Sequence, residues 1–300
     1  MNGVIVIDKP AGFTSFDVIA VVRKLTNQRK TGHAGTLDPN ATGVLPVLLG
    51  SATRAQDLIV NHDKEYAARF RLGLVTDTLD IWGQIKSESD KRASFEEIKA
   101  LLPRFTGEIT QIPPMFSAIK QNGKRLYDLA REGKEVEREP RSVTVYELEL
   151  TDFDEEKQEG GLKIVCSKGT YVRTIIDDLG QALGTGAVMT ALRRTSACGY
   201  TLSDSISLDG LKSLCESGQI GERLQPVESL FESYPALNVS EKQAVRFKNG
   251  GALDISRTSL RNKEIPDRTV FRVRDNEGAF LGLGVTSGAL LKIYKLFINA

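Results

Sequence analysis

Hydrophobic and polar residues alternate with period two along residues 66–72. Tyr66, Ala68, Phe70 and Leu72 share one face, and Ala67, Arg69 and Arg71 the other, so a strand with one buried face is expected. Val4 to Ile7 reads as an earlier strand, ended by Lys9-Pro10. Thr14 or Ser15 can then cap a helix that carries Val18, Val21, Val22 and Leu25 on one face. The apolar run from Gly43 to Gly50 predicts a fully buried strand. Ser94 with Glu97 forms a capping box that opens a helix to about Leu102, before Pro103.

A second alternation sets Val143, Val145, Glu147 and Glu149 against Thr144, Tyr146, Leu148 and Leu150. The acidic turn DFDEEKQEGG separates it from Leu162 to Ser167, which predicts a hairpin. Thr170 is expected to cap a helix running to about Leu183. Between these elements, Ile112 to Arg141 changes character, with Pro113-Pro114, Asn122-Gly123 and dense mixed charge. It reads as an insertion (about 112–142) with a short helix from Leu126 to Arg131. Its Lys120, Lys124, Arg125 and Arg131 either meet phosphates or are simply solvated.

Gly218 to Tyr234 reads as the passage to a second unit. Ser240 to Phe247 predicts a short helix ended by Asn249-Gly250-Gly251. Val270 to Val273, Ala279 to Val285 and Leu290 to Phe297 predict a small β-rich domain. The expected division is therefore 1–233 and 234–300.

Composition narrows the class. Three hundred residues, 40% apolar and 26% charged, suit about two globular domains. No stretch has the length needed to cross a bilayer. The opening MNGVIVIDKP lacks the features of a signal peptide. Cys166, Cys198 and Cys215 form neither a disulfide framework nor a zinc pair, so a reducing, cytoplasmic setting is expected. Net charge is only +1, but it is unevenly placed. Residues 235–300 hold 11 Lys+Arg against 6 Asp+Glu, while the preceding 234 residues hold 29 against 33. The C-terminal segment is thus the better candidate for phosphate contact.

The candidate chemistry lies between Lys30 and Arg54. Gly32, Gly35 and Gly43 permit positive φ or close backbone approach, and Pro39 pushes Asp38 toward an extended conformation. Such a carboxylate is placed for presentation into a cleft, or for ordinary turn bonding to nearby amides. One outstanding Asp, rather than a carboxylate pair, speaks against ordinary glycosidic hydrolysis. There is no GxxxxGK[ST] loop, and Gly282-Leu283-Gly284 has no following helix expected of a dinucleotide fingerprint. Two histidines and three scattered cysteines make a metal site unexpected.

Gly32, His33, Gly35, Leu37, Asp38, Pro39, Ala41, Thr42, Gly43 and Leu45 together resemble the signature loop of the bacterial tRNA pseudouridine-55 synthases. Ile7 to Ser15 is similar to that family's opening motif. Lys64-Glu65-Tyr66 with Thr76 to Asp80, Ile112 to Ala118, Cys166 to Thr174, and Ala191 to Arg194 are similar to its later motifs, in order. The likeness is weaker from Ser203 onward.

The resemblance implies an α+β, pseudouridine-synthase-like fold. Its mixed, mainly antiparallel sheet is flanked by helices, with an RNA-gripping insertion and a C-terminal RNA-binding module. It implies isomerisation of uridine 55 in the tRNA T-arm loop, by base flipping and without cofactor. Asp38 is the implied nucleophile, attacking base or sugar, and Arg173 its ion-pair partner. Read alone, Arg173 could equally bind Asp177 at i+4. Tyr66 would stack on the uracil, and its hydroxyl is a candidate to take the C5 proton. Read alone, it is a core aromatic.

The resemblance also implies that Tyr171 and Leu192 line the uracil pocket, that His33 contacts RNA and that Lys9 supports the loop or the RNA. His62, between Asn61 and Asp63, is expected at the surface. A tRNA-folding chaperone and a guide-RNA-dependent synthase subunit are the alternative functions. The compact chain favours a stand-alone monomer without an obligate protein partner or a membrane.

Overall fold

The computed structural model describes residues 1–121 and 123–298. The chain opens with β1 (Gly3–Lys9), which leads through Thr14 into α1 (Ser15–Thr26). Thr14 and Asp17 cap each other's backbone, so the helix starts where the capping residue predicts. A short strand β2 (Thr31–His33), the signature loop and β3 (Thr42–Leu49) follow. β4 (Lys64–Leu72) buries Tyr66, Ala68, Phe70 and Leu72 and exposes Ala67, Arg69 and Arg71, as its alternation predicts.

A small hairpin, β5 (Leu74–Thr76) with β6 (Ile85–Glu88), and α2 (Phe95–Leu101) lead to β7 (Gly107–Gln111). The insertion then carries the hairpin β8 (Lys120–Gln121) with β9 (Lys124–Arg125), and α3 (Leu126–Arg131). Asn122 of the expected Asn-Gly turn lies outside the described residues. The long hairpin β10 (Arg141–Asp154) with β11 (Glu159–Cys166) returns the chain to the main sheet. It continues through α4 (Val172–Leu183), β12 (Ala187–Ala197), β13 (Tyr200–Thr201) and α5 (Leu208–Glu216).

The main sheet runs β1-β3-β12-β4-β11-β10-β7, with β2 beside β3 and β13 beside β12. Among the described residues its pairs are antiparallel except β12 with β3, where Arg193 meets Thr42 and Arg194 meets Gly43. That parallel contact forces Gly43 to be glycine. Its φ is +103°, and a Cβ there would lie 2.1 Å from the Arg194 carbonyl oxygen. One face of the sheet packs under α4 through Ile175, Ile176 and Leu179, against Phe70, Leu162 and Ile164. At the β1–β3 end, Ile5, Ile7, Leu45 and Val47 pack on Val18 and Val22 of α1 and on Leu211 of α5.

A second sheet is built from β14 (Ala236–Asn238), β15 (Leu253–Asp254), β16 (Val270–Arg274), β17 (Phe280–Ser287) and β18 (Leu290–Leu296), with α6 (Glu241–Lys248) laid on it. Its order is β14-β16-β17-β18-β15. Leu237, Phe247, Phe271, Val273 and Leu291 form its core. Tilted aromatic pairs join it to the rest, with the Phe231 and Phe297 ring centres 5.4 Å apart. Glu228 takes hydrogen bonds from Arg272 at 3.3 Å and Arg274 at 2.7 Å. Two of the C-terminal cations are therefore already paired at this junction.

Two local expectations change. The helix after Gly169 is capped by Tyr171, not Thr170. Thr170 Oγ1 instead donates to the Ser167 carbonyl at 3.0 Å, closing the turn at Gly169. The buried Gln111 side chain accepts from the Tyr171 amide at 3.0 Å, and the Thr174 amide turns back to the Tyr171 carbonyl at 3.1 Å. α5 was not signalled by periodicity, because only Leu211 of its residues is buried. No helix among the described residues is long and apolar enough to cross a membrane.

Candidate active site

The loop carrying Asp38 is pinned from several directions. Ser15 Oγ accepts from the Leu37 amide at 2.9 Å and donates to the Leu37 carbonyl at 3.2 Å. The Gly12 amide and Lys9 Nζ both donate to the Pro39 carbonyl, at 3.0 and 2.9 Å. Leu37 is buried beside Ala41 and anchors the loop, while Pro39 is exposed and the Asp38 side chain stays 38% exposed. A carboxylate held this way can reach a ligand without leaving its loop.

Arg173, on the first turn of α4, comes to that carboxylate from across the sheet. Its Nε lies 2.9 Å from Asp38 Oδ2, and its Nη2 lies 3.3 Å from Oδ1. This is the forked geometry that a guanidinium offers a carboxylate. The same guanidinium donates to the Thr78 and Phe116 carbonyls, each at 2.9 Å. Asp177, the local alternative partner, instead accepts from Gln181 at 2.6 Å.

Asp38 and Arg173 open onto a cleft of about 400 Å³ whose walls include Tyr66, Tyr171 and Leu192. Tyr66 is 7% exposed, and burial pushes its phenol up to about 12 despite the Arg194 guanidinium beside it. At neutral pH it therefore holds its proton, and any uptake of a second proton must be matched by loss of the first. Burial also raises the Tyr171 phenol. Both rings are neutral walls, suited to stacking against a planar base.

The structure separates two expected residues from this cleft. Lys9 is wholly buried, and its ammonium donates to the carbonyls of Pro10 (2.8 Å), Phe13 (2.6 Å) and Pro39 (2.9 Å). It cannot touch RNA, and the expectation of RNA contact is corrected to one of holding the loop. Desolvation lowers its amine to about 8, although the Asp38 charge works in the opposite sense. His33 ends β2 and is not on the cleft wall. Its Nδ1 is enclosed without a hydrogen-bond partner among the described residues. Burial, and then Arg194, lower its pKa.

Other residues enter the site unannounced. Arg194 is completely buried and donates to the carbonyls of Val44 (2.7 Å), Gly35 (3.1 Å) and Thr36 (3.3 Å). It thus clamps the backbone just before Asp38. The Arg193-Arg194 pair on a strand was the available signal, since a strand through the core has one inward face and so must bury one of two successive arginines. His62 lies on the cleft wall rather than on open surface, with Lys64 and Lys168. Among the described residues, no group of three or more His, Cys, Asp or Glu side chains could hold a metal.

Known proteins match both the sequence and this arrangement. Residues 23–172 match the model of the TruB family pseudouridylate synthase N-terminal domain. Residues 173–232 match that of the tRNA pseudouridylate synthase B C-terminal domain. The tRNA pseudouridine synthase B of Stutzerimonas stutzeri is 43% identical over 290 residues, covering 96% of this chain and 92% of its own. That of Clostridium perfringens is 41% identical over 301 residues, covering all of both chains.

Among solved structures, a chain of a Cbf5-Nop10-Gar1 complex superposes with a TM-score of 0.75 at 27% identity. It covers 99% of this chain and 85% of its own. A chain of the archaeal box H/ACA sRNP Nop10-Cbf5 complex gives 0.73 at 25% identity, covering 99% and 86%. The family match, the full-length identity and the shared fold agree, and the chain belongs to the TruB family of pseudouridylate synthases.

Proposed function

We propose that this chain isomerises a uridine in the T-arm loop of tRNA, position 55, to pseudouridine, with Asp38 as nucleophile. The observation that carries the reading is the Asp38–Arg173 fork facing a cleft walled by neutral aromatic and aliphatic side chains. The reaction breaks the bond from ribose C1′ to uracil N1, turns the base, joins C1′ to C5 and releases the C5 proton. It needs no redox group or donor. A carboxylate can form the covalent intermediate, at the base or at the sugar. The guanidinium holds both oxygens of that carboxylate and so orients it inside a partly enclosed site. Tyr66 holds the detached ring by stacking, worth about 1–3 kcal/mol per base.

A uridine inside a folded loop must first be extruded, at a cost of a few kcal/mol. In this reading, residues 1–233 form the catalytic unit. The insertion at about 112–142 and a C-terminal module, residues 234–300, supply the RNA contacts that offset the extrusion. The protein acts as a monomer in the cytoplasm without an obligate partner. Full-length identity of 41–43% to tRNA pseudouridine synthase B, against 25–27% to the Cbf5 chains, favours stand-alone action over a guide-RNA complex. The deciding experiment supplies tRNA tritiated at uridine C5. Tritium should pass to water without added cofactor, and its retention would refute the reading.

A further inference from the structure

The cleft holds more positive charge than its ion pair uses. Asp38 and Arg173 neutralise each other at 2.9 Å. Lys64, Lys168 and His62 stand on the same wall, where the one other carboxylate among the described residues is Asp57. Neither lysine makes an ion pair among the described residues. Lys64 Nζ is tied only to the His62 carbonyl, at 2.6 Å.

The backbone is shaped around these groups. Gly35 has φ +97°, and a Cβ there would lie 3.3 Å from Lys64 Cε and 3.6 Å from Arg194 Nη1. The Lys64 stem therefore crosses the signature loop three residues before Asp38. Lys168 is exposed at the turn that Thr170 closes on Ser167. Burial is the main cause that depresses the basicity of Lys64 and His62; Arg194 adds to it at Lys64, Lys168 and Lys64 add to it at His62, and Asp63 opposes it at both. Such crowding is relieved by an anion bound among them.

A uridine offers no anion at its reacting atoms, since both uracil and ribose are neutral. The anion that arrives with it is the RNA backbone. We propose that Lys64, Lys168 and His62 form a phosphodiester subsite, which grips the linkage beside the extruded nucleotide while Asp38 faces its sugar and base. This rests on the reading of the cleft as a uridine site. His62 precedes β4, Lys64 opens it and Lys168 lies on the approach to α4, so the subsite spans the two elements that carry Tyr66 and Arg173.

The test uses the full chain and synthetic T-arm stem-loop RNAs. In each, one phosphodiester flanking the target uridine is replaced by a neutral methylphosphonate. One such linkage should lower kcat/KM about tenfold or more. The same replacement should cost Lys168→Ala, an exposed and readily tolerated change, clearly less. On unmodified RNA, Lys168→Ala should reduce the dependence of log affinity on log salt by about 0.7. Lys212→Ala on the distant α5 should leave that slope unchanged. The proposal is overturned if no linkage matters, if native and Lys168→Ala proteins lose the same factor, or if the slope does not move. Absence of turnover on the unmodified loop would instead reject the uridine-site reading itself.

Discussion

Arg173 grips both oxygens of Asp38, at 2.9 and 3.3 Å, and spends its remaining donors on Thr78 and Phe116. One guanidinium therefore joins the Asp38 loop to the segment after β5 and to the base of the insertion. Lysine at this position could supply the charge but not the fork.

Asp38→Asn removes the proposed nucleophile while keeping its shape. Tritium release should fall to background, with tRNA affinity within about tenfold of the parent, because most of the binding surface lies outside the cleft. Arg173→Lys should keep a measurable rate, lowered about 100-fold, as expected of a reacting group displaced by a fraction of an ångström. Single-turnover tritium release and filter binding separate the two effects. A collapse of affinity in Asp38→Asn would make the residue structural.

Tyr66→Ala removes the stacking wall, while Tyr66→Phe removes only the hydroxyl. The alanine change should weaken capture of the extruded base by about 1–3 kcal/mol. The phenylalanine change should leave tRNA affinity intact, so that any fall in rate reports the hydroxyl. Stopped-flow binding with T-arm RNA beside the tritium assay distinguishes these. Equal affinity losses in both variants would contradict the stacking role.

Arg194→Met should be among the more destabilising single changes in the chain. It leaves the Val44, Gly35 and Thr36 carbonyls short of a donor, at about 1–3 kcal/mol for an unsatisfied buried group. Urea unfolding should show the loss, and activity should fall further than stability explains, because the same carbonyls fix the approach to Asp38. A variant with native stability and native rate would remove Arg194 from this role.

Asp178 supplies a pH signature away from the reaction. Burial, reinforced by Asp177, raises its carboxyl from 3.8 to about 6. The folded chain therefore binds more protons than the unfolded chain between those values, and this group makes stability fall as pH rises from about 4 to about 6. Asp178→Asn should stabilise the protein at pH 7 by on the order of 1–3 kcal/mol, and the gain should vanish below pH ~4. Urea titrations at three pH values measure it, and a gain that persists at low pH would assign the effect elsewhere.

Much of this site was legible in the sequence, for definable reasons. The Gly-Thr-Leu-Asp-Pro loop is constrained residue by residue through backbone geometry, so Asp38 stood out before any tertiary contact was known. Tyr66 was predictable as a buried strand residue because period-two alternation fixes which face it takes. The clamp that Arg194 makes was not, because its three acceptors are main-chain carbonyls from residues 35–44, which carry no side-chain signature. His62 was misplaced because its polar neighbours suggest open surface, whereas the fold of the β4 approach turns it toward the cleft. Thr170 does not cap the helix because its hydroxyl is bonded to the Ser167 carbonyl in the preceding turn.

The parallel seam between β12 and β3 has a consequence for the order of events during synthesis. Val44 and Arg194 are bonded across 150 positions of chain, and Asp38 and Arg173 across 135. Closures that long are slow and come late. A nascent chain still held in the ribosome short of residue 194 lacks the clamp on its reactive loop. The Asp38 loop is thus fixed only as the central sheet is completed, near the end of the ordered pairing.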